Sequence, residues 1–160
     1  MEANDLVLAM DGSTSVCSAA LLVGRVGCPG GDWETICSRA DDDGRGQARS
    51  LLRMTDEVLR QAGASPEDLS SIVVGTGPGT FTGVRIAVAT ARGLAVGLAV
   101  PVAGVDSLSA LTVGALAEAP QQEREAWSTV VAVIDARRGQ VFVTAHQRSF
   151  SNRGERGLKR

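Results

Sequence analysis

The chain has 160 residues, 44% of them apolar, and a net charge of −2, enough for one core or one and a half. That near-neutral balance points away from a nucleic-acid or membrane partner. The scarce aromatics (Trp33, Trp127, Phe81, Phe142 and Phe150) offer no clustered stacking platform for single-stranded RNA. Cys17, Cys28 and Cys37 are odd in number and lack C-x-x-C spacing, which excludes a zinc ribbon and a disulfide framework and fits a reduced cytosolic protein. His146 is the sole histidine, so a histidine-based metal site would have to be completed by carboxylates. The opening MEANDLVLAMDG is acidic and its apolar run is short, unlike a signal peptide. The apolar stretch from Val84 to Val105 contains Arg85, Arg92 and Pro101, so it reads as a buried helix followed by a strand rather than a membrane span.

In chain order, Leu6–Met10 runs into the turn cluster Asp11-Gly12-Ser13-Thr14-Ser15, and Val16–Val23 resumes as a second strand. Trp33–Ser38 is a candidate third strand. Asp41-Asp42-Asp43-Gly44 is a solvated loop without the ligand spacing of an EF-hand. Apolar residues recur at three- and four-residue spacings through Gln47–Ala62, which predicts a helix capped by Gly63. Ser65-Pro66-Glu67-Asp68 resembles a capping box with proline at the first helical position. Ile72–Gly75 reads as a buried strand, Thr82–Gly97 as a helix, Val100–Val105 as a strand, and Asp106-Ser107 as the cap of a helix reaching about Ala119. Val130–Ile134 and Gln140–His146 form a second hairpin. LVLAMDGSTSVCSAALL and VVAVIDARRGQVFVTAH align without a gap, an echo that suggests two related halves.

The segment GTGPGTFTGVR, from Gly75, looks like a phosphate cradle but fails both phosphate templates. A Walker A loop needs a lysine, and the only one in the chain is Lys159; no G-x-G-x-x-G starts at Gly75 or Gly77. What remains is a sharp strand-to-helix turn. In the helix that follows, Gly83, Ala87, Ala91 and Ala95 lie four apart, and Ala89, Gly93 and Gly97 form a neighbouring small-residue stripe. Such stripes admit a close neighbour, either inside the fold or on a partner.

GTGPGTFTGVRIAVATARGLAVGLAVPVAGVDSLSAL, together with LAMDGSTSVCSAALL and AVIDARRGQVFVTAHQ, resembles the TsaB (YeaZ) family over about residues 5–147. The resemblance implies an α/β, actin-like and sugar-kinase-like (ASKHA) fold of two ribonuclease-H-like halves. The first half would be complete over residues 1–119. Residues 128–147 would form the opening hairpin of a second half only begun; residues 148–160 read, by their composition, as a basic, unstructured tail. It also implies a non-catalytic subunit that dimerises with a TsaD-type transferase in threonylcarbamoylation of the adenosine next to the anticodon of tRNA. TsaD binds a metal through H-x-x-x-H, a motif this chain lacks. Catalytic residues, a metal site and a cofactor of its own are therefore not expected. ATP and a metal would belong to partner subunits, a TsaE-type ATPase would dock on the pair, and tRNA would be met only through the complex, in the cytoplasm. No membrane contact is expected, and a homodimer through the same surface competes with the heterodimer.

Carried onto this sequence, the interface would comprise Met54 and Val58 on the first helix and Gly77, Pro78, Gly79, Phe81, Thr82, Gly83, Arg85 and Ala87 at the glycine motif. Asp11, Ser13 and Thr14 are candidates for a weak nucleotide contact. Actin-like kinases carry D-x-G-[ST] there, and Ser13 puts a side chain where phosphate would come near. The alternative for Asp11 is a capped turn; Asp135, followed by Arg137 and Arg138, has the same two readings. Residues 148–160 carry a net +4, leaving −6 on the rest. They read either as a basic arm for tRNA phosphates or as a non-native ending. Other functions that stay open are an actin-like small-molecule phosphotransferase and a truncated non-functional copy.

Overall fold

The computed structural model describes residues 4–25, 33–42, 47–150 and 156–159. Its contacts divide the chain into two units, Met1–Val105 and Asp106–Arg160. The first contains β1 (Asp5–Asp11), β2 (Cys17–Gly24), β3 (Glu34–Asp41), α1 (Gln47–Ala62), a 3-10 turn at Pro66–Asp68, β4 (Ser71–Gly75), α2 (Phe81–Leu98) and β5 (Val102–Val105). Its sheet runs β3-β2-β1-β4-β5. The pairs β1–β2 and β2–β3 are antiparallel, while β1–β4 and β4–β5 are parallel. That mixed order, with helices on the parallel crossovers, agrees with the ribonuclease-H-like half that the family resemblance implies.

Period-two burial places Leu8 and Met10 of β1, Cys17, Ala19 and Leu21 of β2, Cys37 of β3, and Ile72 and Val74 of β4 in one cluster. Against it lie Leu51, Met54, Val58 and Leu59 of α1, at three- and four-residue spacings. The buried side chains of α2 in this cluster are Ala87, Ala91 and Ala95, so the helix comes close to its neighbours along that line, with Ile86, Val88, Leu94 and Leu98 packed partly buried beside it. By length and composition α2 could cross a membrane, yet its Gly83–Ala95 stripe is buried within this unit. On the opposite pleat face, Val7, Ala9, Leu22, Trp33, Val73 and Val102 line an apolar cavity of about 420 Å³.

The second unit contains α3 (Ser107–Glu118), α4 (Gln121–Ala126), β6 (Thr129–Arg137), β7 (Gln140–Phe150) and β8 (Arg156–Lys159), with the strands ordered β6-β7-β8. Asp106 caps α3, its Oδ1 accepting from the Ser109 amide at 2.8 Å and from the Ser109 hydroxyl at 2.9 Å. The β6–β7 turn has positive φ at Arg138 (55°) and Gly139 (75°), the backbone a two-residue primed hairpin requires.

The structure departs from the sequence reading in four places. Helix α3 packs on β6 and β7, so the division falls after Val105 rather than near residue 119. Residues 66–68 stop as a 3-10 turn although the Ser65 amide and hydroxyl do bond Asp68 Oδ2, at 2.8 and 3.0 Å. Helix α4, QQEREA, has no apolar stripe for periodicity to find. Within the segment read as a tail, residues 148–150 prolong β7 and Arg156–Lys159 pair with it from Gln147 to Phe150. Composition reports what side chains can bury, whereas a strand edge recruits a neighbour through its main chain.

Candidate functional site

The DGST turn after β1 and the glycine motif after β4 meet at the carboxyl ends of two parallel strands. The site consists of these two loops packed on each other. Asp11 Oδ1 accepts hydrogen bonds from the Ser13 amide at 2.8 Å and the Ser13 hydroxyl at 2.7 Å. Thr14 closes the turn, its hydroxyl donating to the Val16 carbonyl at 3.1 Å and accepting from the Val16 amide at 3.2 Å. From the other loop the Thr80 amide donates to the Ser13 carbonyl at 2.6 Å.

The glycines are explained by these contacts. A Cβ at Gly75 would lie 1.8 Å from Asp11 Oδ2, and one at Gly79 would lie 2.1 Å from the Ser13 carbonyl oxygen. At Gly79 the obstacle is main chain, and at Gly75 it is the Asp11 carboxylate, which would have to shift against its bonds to Ser13, so each glycine leaves room for a named group of the DGST turn. Gly12 is less tight, since a Cβ there would lie 3.0 Å from the Gly83 carbonyl oxygen, a contact that a shift of a few tenths of an ångström relieves. Ser13 is 4% exposed and sits against Gly79. The room a phosphate would need at a D-x-G turn is thereby taken by a hydroxyl that already serves Asp11. These residues do not fit a magnesium–phosphate group, and among the described residues no cluster of three or more His, Cys, Asp or Glu side chains is placed to hold a metal.

The residues assigned to an interface fall into two sets. Met54 (1% exposed), Val58 and Ala87 (both 0%) belong to the first unit's core, and Gly77 and Gly83 are buried with them. Their side-chain positions are inside the fold, so these five are corrected from partner contacts to internal packing. Pro78 and Gly79 are half-buried, while Phe81, Thr82 and Arg85 are exposed. Phe81 is 70% exposed and carries the Arg85 guanidinium over its ring at 3.7 Å. Farther along α2, Ala89, Arg92, Gly93, Val96 and Gly97 are exposed, Val96 at 82%. On α1, Leu52 is exposed as well. The outward stripe of α2 thus matches the sequence's second small-residue stripe, and the first is the inward one.

Elsewhere, burial, with the Asp41 and Asp11 carboxylates, pushes the Cys17 thiol up from its ordinary value. Cys37 donates its thiol to the Val58 carbonyl at 3.2 Å. Arg53 joins Asp41 at 2.9 Å to Glu57 at 2.7 Å and ties β3 to α1. In the second unit, His146 is buried on β7 opposite Val130. Asp135 lies beside a register irregularity in β6. Sequence reasoning missed the mutual packing of the two motifs, which lie more than sixty residues apart in the chain. Only the parallel pairing of β1 with β4 brings them together.

Residues 44–158 match the family described as TsaD, tRNA N6-adenosine threonylcarbamoyltransferase. The chain is 33% identical to the tRNA threonylcarbamoyladenosine biosynthesis protein TsaB of Escherichia coli, over 89% of this chain and 55% of that protein. It is 37% identical to the TsaB of Haemophilus influenzae, over 87% and 52%. Among solved structures, YeaZ from Pseudomonas aeruginosa superposes with a TM-score of 0.72 at 34% identity, covering 97% of this chain and 64% of that one. The chain spans about half the length of the curated relatives it matches. Its first unit has the mixed sheet and glycine-motif helix expected of them, and with that agreement of sequence and fold the chain belongs to the TsaB (YeaZ) family.

Proposed function

We propose that this chain is a non-catalytic subunit in threonylcarbamoyladenosine biosynthesis, pairing with a TsaD-type transferase that modifies the adenosine next to the anticodon of tRNA. The observation that carries this reading is the outward face of α2. It presents Phe81, Arg85, Ala89, Gly93, Val96 and Gly97 on a helix whose other side is already packed. Small residues in the middle of that face admit a second helix close to the backbone, and exposed Phe81 and Val96 flank the contact. ATP and metal chemistry then belong to the transferase and to a TsaE-type ATPase, tRNA is met through the assembly in the cytoplasm, and no membrane takes part. A homodimer through the same face is the competing state of the free chain.

Gly93→Arg tests the assignment, because nothing lies within 4 Å of a Cβ placed there and the fold has room for the new side chain. Size-exclusion chromatography with light scattering is expected to show a one-to-one complex between the chain and a TsaD-type subunit. The variant should keep its circular-dichroism spectrum and lose the complex. Pairing retained by a folded Gly93→Arg protein would sink the interface. An actin-like phosphotransferase is the weaker reading, because Asp11 and Ser13 are spent on each other. ATP turnover that disappears in Asp11→Asn would restore it.

A further inference from the structure

We draw no further inference here: the strongest candidate, the apolar cavity on the first unit's sheet between Val7, Ala9, Leu22, Trp33, Val73 and Val102, is an uncovered sheet face, and nothing in the structure shows what covers it.

Discussion

At the scale of single residues, glycine does different jobs at positions that look alike in the sequence. Gly79 faces the Ser13 carbonyl, whereas Gly93 faces open space in the interior of α2. Gly79→Ala is expected to cost about 1–3 kcal/mol, as for an overpacked site. Gly93→Ala should stabilise by about 0.5–1 kcal/mol through helix propensity. Urea midpoints of the two variants decide it, and equal shifts would contradict the packing argument. Cys17 supplies a second test. Its thiol is raised in the fold by burial first and by Asp41 and Asp11 after that. Above the ordinary thiol value of about 8.5 the unfolded chain loses this proton before the native one does. Native protein then holds more protons, and stability falls as pH rises. Chemical denaturation from pH 8 to 10 should show that decline, shallower in Cys17→Ala; identical slopes would place the alkaline loss elsewhere.

Among the elements, the β6–β7 hairpin and α2 each carry apolar surface to the outside. Val133 pairs with Val143 and Asp135 with Val141, so these side chains share one face with Val131. The four valines are 53–60% exposed. An apolar sheet face of this kind promotes self-association. Val133→Thr with Val143→Thr keeps β-branched strand formers and removes apolar surface. The double variant should scatter less light on concentration and bind less hydrophobic dye. No change would mean that the face is protected in solution. In α2, helical spacing marks two small-residue stripes without saying which faces inward. Contact with β1 and β4 settles it, by burying Gly83, Ala87 and Ala91 and leaving Ala89, Gly93 and Gly97 outside.

For the whole molecule, the two units draw on different stretches of chain. Among the described residues, the first unit's core cluster, with the side chains packed on it, uses only residues between Leu6 and Val100. A fragment of residues 1–105 should therefore fold alone and melt cooperatively by circular dichroism. A broad, non-cooperative melt would show that its core depends on the rest of the chain. The family relation also belongs to this scale, since it rests on most of the chain aligned with about half of each relative.

Element type and order in the first unit were legible from the residues. Period-two strands, the α1 stripe and the Gly63 stop are local patterns, set by backbone geometry within a few positions. α1 begins and ends where its spacing predicts, β4 and β5 end at Gly75 and Val105 as predicted, and the first unit's other strand and helix ends shift by one to three residues. That GTGPGTFTGVR departs from both phosphate-loop templates is likewise readable from the residues alone, because those templates need a lysine or a glycine at fixed offsets. Only tertiary structure decided that Gly75 and Gly79 are there for Asp11 and Ser13. It likewise decided that Met54, Val58, Gly83 and Ala87 are core, that α3 goes with the second hairpin, and that β8 joins β7. The physical reason is common to all four. Which groups a side chain or a strand edge meets is set by pairing between distant segments, and no local pattern records it.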